Sequence, residues 1–207
     1  MTATADVLII GAGIIGGSVA FHLLERNPRL RVTILEAEPE VGTGSTSKAT
    51  GGVRFQFSTE ANIRLTLLSY RTGFYVHRQG KSAVLMGGTD KDIKPGLDTS
   101  VDWEAFGAVF QAAAKRVPPL ADAKVMRAYA GVRDLTPDYH GILGPARTAP
   151  GFHVACGFSG HGFMHAPAIG LLMAEIVLDG RTSSMDIDAL SLDRFDAGTT
   201  RAEANMF

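Results

Sequence analysis

The sequence predicts an α/β fold, and two similar units, one near each end of the chain, carry that prediction. Near the start, the apolar run 7–10 is short and β-branched enough for a buried strand. A glycine turn follows at once, and then Ile15, Val19 and Leu23 repeat at helical spacing. Near the end, residues 152–156 have the character of another buried strand, again followed by a glycine turn and an apolar helix. These units predict a fold that mixes strands with helices.

The first glycine turn has the residues of a dinucleotide-binding turn. Gly11 would permit the tight bend, Gly13 would let a pyrophosphate approach the backbone, and Gly16 would let the helix pack close to the strand. The N–H groups and the dipole at the start of the helix favour a phosphate charge. A second strand, at 31–35, ends on Glu36, where a carboxylate can accept hydrogen bonds from ribose hydroxyls.

This pattern of strand, glycine turn, helix, strand and acid predicts a Rossmann-like unit. The acid at Glu36 disfavours the 2′-phosphate of NADP, whereas NAD and FAD both remain open from these residues alone. The alternative is an ordinary strand–turn–helix connection that binds no nucleotide.

Composition limits the class of protein. The 207 residues are 45% hydrophobic and 20% charged, which is ordinary for a globular chain. Because 20 basic residues stand against 21 acidic ones and form no basic block, neither nucleic acid nor an anionic membrane surface is expected as a partner. The single cysteine, Cys156, excludes an internal disulfide and a cysteine-rich metal site, and no metal is predicted. No signal-peptide pattern and no membrane-spanning run is recognised, so we expect a soluble cytoplasmic protein.

A loop of small residues and hydroxyls, at 37–52, follows Glu36. Its Ser45, Thr46 and Ser47 can donate hydrogen bonds to phosphate and ribityl oxygens. The alternative is a solvated flexible loop. A strand-like alternation at 53–57 then contains Arg54, which is either a surface charge or an anion ligand.

The middle of the chain changes character. After a predicted helix at 59–70, the pattern indicates a β-hairpin, a capped amphipathic helix and a third β segment. In order, these are the strands 73–77 and 83–87, a helix that Asp102 caps and Pro118 ends, and the segment 124–133. Beyond the turn 136–138 and the second glycine turn, Pro167 suits the first turn of the last helix, and Gly180 ends that helix.

Four stretches, in the same order along the chain, resemble the FAD-dependent amine and amino-acid oxidoreductases of the D-amino-acid oxidase-like family. That family includes glycine oxidase, sarcosine oxidase and sarcosine oxidase β-subunit-like dehydrogenases. The resemblance implies FAD rather than NAD, and a Rossmann-like FAD-binding domain with a reduced antiparallel β remnant of a substrate domain. The four stretches are residues 11–16 with Glu36, residues 44–47 leading to 52–54, residues 130–133 with 136–138, and residues 157–163.

The resemblance also implies roles for individual residues. Three groups would hold FAD: those around the ADP half, those at the pyrophosphate or ribityl chain, and those lining the flavin ring. The ADP half would contact Gly11, Gly13, Ile14, Ile15, Gly16 and Glu36. The pyrophosphate or ribityl chain would contact Ser45, Thr46 and Ser47. The flavin ring would contact Gly160, His161, Gly162, Phe163 and Met164. Arg133 and, in a looser alignment, Arg54 match arginines that hold a substrate carboxylate. The structural alternatives are a paired core arginine at 133, a surface charge at 54, and a packing role for His161.

The chain departs from the family pattern in three ways. Cys156 is out of register with the cysteine that attaches flavin in some sarcosine oxidases, so FAD is expected to bind non-covalently. Met164 stands where sarcosine oxidase-like members have a lysine. Between Tyr70 and Arg71 the middle of the family pattern is missing. We therefore divide the chain into 1–70 and 131–196 as parts of the FAD domain, 71–130 as the substrate-domain remnant, and a tail at 197–207.

Two functions follow from this resemblance. The first is an FAD-dependent oxidoreductase in which the substrate Cα–H passes hydride to flavin N5, leaving an imine that water hydrolyses. The second is a shortened FAD-binding module or subunit without turnover of its own, completed by a partner chain or by copies of itself. The hydroxyl loop and the second glycine turn disfavour an NAD-dependent dehydrogenase. The identity of the amine or amino acid and the electron acceptor stay open.

Overall fold

The computed structural model of the chain describes residues 4–49, 74–79, 83–88 and 95–200. Within these ranges it contains six strands, four α-helices and three short 3-10 helices. In chain order the strands and α-helices are β1 Val7–Ile10, α1 Ile14–Arg26, β2 Val32–Leu35, α2 Ser45–Lys48, β3 Phe74–Gln79, β4 Ala83–Gly88, α3 Trp103–Arg116, β5 Ile142–Pro145, β6 His153–Cys156 and α4 Gly162–Asp179. The 3-10 helices are Pro118–Asp122, Asp188–Leu190 and Leu192–Arg194.

The described residues form two compact units. The first contains 4–49 and 133–200, and the second contains 74–79, 83–88 and 95–132. In the first unit, β1 and β2 pair in parallel from Val7 with Val32 to Ile10 with Leu35, and α1 connects them. The α/β prediction is confirmed, because the strand, glycine turn, helix and parallel strand lie where the sequence places them.

The core of the first unit lies between α1 and α4. The buried face of α1 presents Val19 and Leu23, and the core also contains Leu143, Phe158 and most of the buried residues of α4. The two helices approach so closely at Gly170 that a Cβ there would lie 2.6 Å from the main-chain oxygen of Ser18. This close packing explains a glycine in the middle of α4, where it otherwise weakens a helix.

Helices α1 and α4 run in the same direction. They touch at Ser18 and Gly170, and eight or nine residues further along Arg26 pairs with Asp179 at 2.7 Å. Since contact persists along both helices in the same sense, their N-termini lie at the same end of the unit. The glycine turns that precede the two helices therefore share that end.

The β1–β2 sheet is covered on one face, which corrects the prediction that residues 7–10 form a buried strand. Val7, Ile9 and Val32 pack against the core, as the alternation of side chains across a strand requires. On the other face Leu8 is 54% exposed and Ile10 is 77% exposed. Parallel sheets normally have both faces covered. Among the described residues, only the face of the β1–β2 sheet that is turned toward the helices is covered.

The strand at 152–156 is also less buried than predicted. It forms β6, which pairs antiparallel with β5 from Pro145 with His153 to Ile142 with Cys156. Phe152 is 53% exposed, because it precedes the paired residues rather than pointing into the core.

The second unit contains the predicted hairpin and helix. Strands β3 and β4 pair antiparallel from Phe74 with Gly88 to Gln79 with Ala83, so β3 extends two residues into the predicted turn. The Asp102 carboxylate caps α3 by accepting the N–H groups of Glu104 and Ala105 at 2.9 and 3.0 Å. The strand predicted at 124–133 is wrong, because residues 123–136 pair with no strand among those described.

Helix α4 begins earlier than predicted. It starts at Gly162, so Pro167 is its sixth residue rather than part of its first turn. The proline removes the bond that an N–H at this position would give to the carbonyl of Phe163. Gly180 ends the helix in a left-handed conformation with φ of 74°, as predicted. The predicted strand at 53–57 and helix at 59–70 lie outside the described residues.

By length and composition alone, α4 meets the criterion for a membrane-spanning helix, which the sequence analysis did not expect. Its buried residues include Ile169, Leu172 and Ile176, which belong to the core with α1. Core helices meet the same criterion, so this helix is weak evidence for a membrane span.

Candidate functional site

The first glycine turn is held tightly between β1 and α1. Gly11 adopts a φ of 100°, and its N–H donates to the carbonyl of Leu35 at 2.7 Å. A Cβ on Gly16 would lie 2.0 Å from the oxygen of Gly11 and 3.3 Å from Cγ2 of Ile9. The close approach of helix and turn that the sequence predicted at Gly16 is therefore present.

The hydroxyl loop folds over this turn. The N–H of Gly42 donates to the carbonyl of Ala12 at 3.0 Å, and Oγ1 of Thr46 accepts the N–H of Ile14 at 2.9 Å. A Cβ on Gly13 would come within 3.0 Å of the same Thr46 hydroxyl. The loop is thus hydrogen-bonded to the first turn and to the start of α1 through Gly42 and Thr46, and its contact with a cofactor stays a prediction.

The flanking hydroxyls lie on α2. Ser45 is its first residue, and the Ser47 hydroxyl donates to the carbonyls of Thr43 at 3.1 Å and Gly44 at 3.2 Å. Ile15 follows Ile14 in the first turn of α1 and packs against the core. Thr46 is joined to the start of α1 by its hydrogen bond with the N–H of Ile14.

The Glu36 carboxylate is turned toward the same place. One oxygen accepts the N–H of Ala12 at 2.7 Å, and the other accepts those of Ala37 and Glu38 at 2.9 and 3.1 Å. These bonds, led by the one from Ala12, lower the pKa of Glu36. The carboxylate is therefore ionised at neutral pH and lies beside the glycine turn, while its bond to a ribose stays a prediction.

The second glycine turn has an unusual backbone. Gly157, Ser159 and Gly160 adopt φ values of 68°, 51° and 92°, a left-handed region that a serine rarely enters. The Phe158 ring packs so closely on Gly141 that a Cβ there would lie 2.3 Å from a ring atom. The N–H of His161 then donates to the carbonyl of Phe158 at 2.9 Å, and α4 begins at the next residue.

The predicted flavin-lining residues share the start of α4. Gly162, Phe163 and Met164 form its first turn and are partly buried. The rings of His161 and His165 stack with centroids 5.7 Å apart, and burial lowers the pKa of His165. The stacking gives His161 a packing contact, and a contact of this turn with flavin stays a prediction.

Asp134 is a residue that the sequence analysis missed. Its carboxylate oxygen Oδ2 accepts the N–H groups of Gly157 at 2.7 Å and Phe158 at 3.3 Å. Its main-chain carbonyl accepts the N–H of Ser159 at 3.0 Å. The only sequence signal was an acid directly after Arg133, in a stretch that already resembled the family.

Arg133 contacts the same turn. Its guanidinium Nη2 donates to the carbonyl of Ser159 at 3.2 Å, and its Nε would lie 2.9 Å from a Cβ placed on Gly160. Burial lowers the pKa of Arg133, against the opposing effects of Tyr139 and Asp134. The side chain is therefore partly used in shaping the second turn. A bond from it to a substrate carboxylate stays a prediction, and Arg54 lies outside the described residues.

A buried ion pair anchors the turn 136–138. Nε and Nη2 of Arg194 bond the two carboxylate oxygens of Asp138 at 2.7 and 3.0 Å, and these side chains are 3% and 4% exposed. Nη2 also donates to the carbonyl of His140 at 2.8 Å. Arg194 lowers the pKa of Asp138 to about 2. Nothing in the spacing of these residues, 56 apart, indicated the pair.

The chemistry of the first turn fits a dinucleotide. The start of α1 offers main-chain N–H groups, Gly13 leaves no side chain beside Thr46, and the Glu36 carboxylate lies beside the turn. The second turn lies at the same end of the unit. No group of three or more His, Cys, Asp or Glu residues in the described parts could hold a metal ion.

Comparison with known sequences agrees with this chemistry. The family DAO, FAD dependent oxidoreductase, matches residues 6–73 and 60–176. FAD-dependent oxidoreductase domain-containing protein 1 of Mus musculus is 33% identical over 149 residues, which are 70% of this chain and 31% of that protein. Hydrogen cyanide synthase subunit HcnC of Pseudomonas aeruginosa is 30% identical over 121 residues, 58% of this chain and 28% of that one. Human mitochondrial sarcosine dehydrogenase is 30% identical over 100 residues, 48% of this chain and 11% of that one.

Solved structures share the fold. L-proline dehydrogenase from P. horikoshii matches with a TM-score of 0.79 and 16% identity, covering 98% of this chain and all of that one. Glycine oxidase from Geobacillus kaustophilus matches with a TM-score of 0.71 and 16% identity, covering 92% and 98%. The chain spans about a third of the length of the mouse and cattle relatives it matches. Because the family match runs from residue 6 to residue 176, the resemblance inferred from the sequence is confirmed, and the chain belongs to the FAD-dependent oxidoreductase family.

Proposed function

We propose that this chain binds FAD non-covalently and takes part in oxidising the C–N bond of a small amine or amino acid. The observation that carries the proposal is the placement of both glycine turns at one end of the same unit, where a single extended ligand can reach both. The substrates named for the relatives, sarcosine, glycine and L-proline, are all small amino acids and support this substrate class.

Residues of the first turn would hold the ADP half of FAD. The N-terminus of α1 favours the pyrophosphate charge, and the ionised Glu36 would accept the ribose hydroxyls. The hydroxyls of Ser45, Thr46 and Ser47 would reach the pyrophosphate or the ribityl chain. Since Thr46 already bonds the N–H of Ile14, it is the hydroxyl best placed for the phosphate end.

Residues of the second turn would line the flavin ring. FAD, when bound, supplies the acceptor for the two electrons and the hydrogen of the substrate C–H bond. The start of α4, from His161 to Met164, would face the ring with the positive end of the helix dipole, which favours negative charge there. Arg133 is next to this turn and would orient a substrate carboxylate, with Arg54 as a second candidate.

The second candidate function is an FAD-binding module or subunit that needs another chain for turnover. The exposed apolar face of the β1–β2 sheet, with Ile10 77% exposed and Leu35 51% exposed, favours it. The short span relative to the relatives agrees, and one of those relatives is named as a subunit. A partner chain or further copies of this chain would then cover the exposed apolar face of the β1–β2 sheet.

One experiment separates the two functions. The purified protein is titrated with FAD, and the loaded protein is mixed without oxygen with sarcosine, glycine and L-proline while its visible absorbance is followed. Bleaching of the flavin band supports turnover by this chain alone. Binding without bleaching supports the module, and absence of FAD binding contradicts both.

A matched pair of variants tests the placement of FAD. Gly13→Val puts a side chain beside Thr46, where a Cβ alone comes within 3.0 Å, whereas Gly17→Val projects into open space. We expect Gly13→Val to weaken FAD binding by about tenfold or more, since one contact to a charged group is worth that much. Gly17→Val should bind FAD as the parent does. Equal affinity in the two variants would mean that the pyrophosphate lies elsewhere.

A further inference from the structure

Ser159 is held in a conformation that it would not adopt alone. It is fully buried, with 0% exposure and a φ of 51°. Its N–H and carbonyl bond the main chain of Asp134 and the guanidinium of Arg133. Its hydroxyl donates to the carbonyl of Gly157 at 3.1 Å and accepts the N–H of Thr136 at 3.3 Å. Residues 133–136 therefore impose the shape of the second glycine turn.

Within residues 133–136, Asp134 makes the largest share of the hydrogen bonds to the second glycine turn. Its carboxylate accepts two successive N–H groups, those of Gly157 and Phe158, and its carbonyl accepts the next one, that of Ser159. Successive N–H groups around a left-handed residue form a concavity that binds anions. Here a carboxylate of the chain itself fills the concavity, which leaves it closed to an anionic part of a ligand.

This contact sets the direction in which α4 begins. The carbonyl of Phe158, whose own N–H donates to the Asp134 carboxylate, accepts the N–H of His161, and α4 starts at Gly162. Charge-assisted bonds to main-chain N–H groups are about twice as strong as neutral ones. Losing the carboxylate would release Gly157 and Phe158 and, through them, the first turn of α4.

We propose that Asp134 is a positioning residue, whose carboxylate acts as an internal anion that fixes the second glycine turn in the shape that FAD requires. This inference rests on the proposed function, because it takes this turn to be the one that faces flavin. Asp134 acts through the turn and is not itself assigned a contact with the cofactor. Asp134 is exposed, so a small anion from solvent can reach the position that its carboxylate occupies.

Rescue by formate tests the proposal. In Asp134→Ala without FAD, we expect amide hydrogen exchange at Gly157 and Phe158 to be about tenfold faster or more, since each lost bond involves a charged acceptor. Formate at constant ionic strength should slow this exchange again, and sodium chloride should not. FAD affinity should fall by a similar factor and recover with formate. A purely local loss of stability would give no preference for formate over chloride.

Asp186→Ala is the matched control. Asp186 is an exposed aspartate of the same unit whose carboxylate accepts one main-chain N–H, that of Asp188, at 2.9 Å. This variant should leave exchange at Gly157 and FAD affinity unchanged, with or without formate. Asp134→Asn, which keeps an acceptor without the charge, should lie between the parent and Asp134→Ala. It also provides the decisive measurement if Asp134→Ala does not fold.

The outcomes separate this inference from the proposed function. Parent-like exchange and affinity in Asp134→Ala, or in Asp134→Asn where that variant decides, would overturn the role of the carboxylate. So would recovery that is equal in formate and chloride. If the parent protein binds no FAD, the proposed function fails, and the exchange measurements on the protein without FAD still decide whether Asp134 fixes the turn.

Discussion

Adjacent glycines in α1 offer a sharp test of the packing at the first turn. Gly16→Ala and Gly17→Ala make the same chemical change one residue apart in the same helix. A Cβ on Gly17 meets nothing within 4 Å, whereas one on Gly16 would lie 2.0 Å from the main-chain oxygen of Gly11. The two variants should therefore differ in the sign of their effect on stability.

The expected magnitudes follow from helix propensity and steric overlap. Replacing a glycine inside a helix by alanine stabilises the fold by about 0.5–1 kcal/mol, which is the whole effect expected for Gly17→Ala. At Gly16 the new methyl group must push the turn away from α1, and overpacking of this kind costs about 1–3 kcal/mol. Because the clashing atom is main chain, a rotamer change in that neighbour cannot relieve it. The variants should differ by roughly 1.5–4 kcal/mol in the free energy of unfolding.

Urea unfolding followed by circular dichroism measures this difference, and an FAD titration measures its consequence. Gly17→Ala should unfold at a higher urea concentration than the parent and bind FAD equally well. Gly16→Ala should unfold at a lower concentration and bind FAD more weakly. If both variants gain stability by the same amount, the close contact of α1 with the glycine turn is not present in solution, and the packing argument is wrong.

Three further predictions concern the cofactor, the substrate and a buried ion pair. Acid precipitation should release all flavin into the supernatant, because Cys156 is out of register with the family's attachment point; a yellow pellet would contradict non-covalent binding. Arg133→Lys should slow flavin reduction by amino acids far more than by their methyl esters, at a cost of about 2–5 kcal/mol for a desolvated carboxylate; equal losses would make Arg133 structural. The pKa of Asp138 lies at about 2 in the fold against 3.8 ordinarily, so its contribution to stability is complete above pH 4 and is lost as pH falls toward 2. Arg194→Met should cost about 3–5 kcal/mol near neutral pH and flatten that acid dependence, and an unchanged acid profile would mean that the pair is not formed.

The sequence was sufficient where the controlling interactions are local. The glycine turn before α1, the cap of α3 by Asp102, the hairpin of β3 and β4 and the end of α4 at Gly180 were all predicted. Each depends on residues a few positions apart, whose backbone preferences or spacing are visible in the chain itself. The family followed from motifs of this local kind, and the match from residue 6 to residue 176 confirmed it.

Tertiary structure decided what lies between these motifs. Strands require partners, and among the described residues no strand lies beside the extended pattern at 124–133 to complete its hydrogen bonds. Apolar character predicted buried strands, but burial depends on what covers each face, and Leu8 and Ile10 face away from both helices. The start of α4 at Gly162 likewise follows from how its turn is held rather than from Pro167.

The candidate site divides in the same way. Gly13, Thr46 and Glu36 could be identified from the sequence because they belong to one strand–turn–helix–strand unit and the loop that follows it. Asp134 reaches the N–H of Gly157 across 23 residues, and Arg194 reaches Asp138 across 56. No local pattern specifies such pairs, because which distant groups meet is fixed only when the helices pack and each buried donor or acceptor must find a partner.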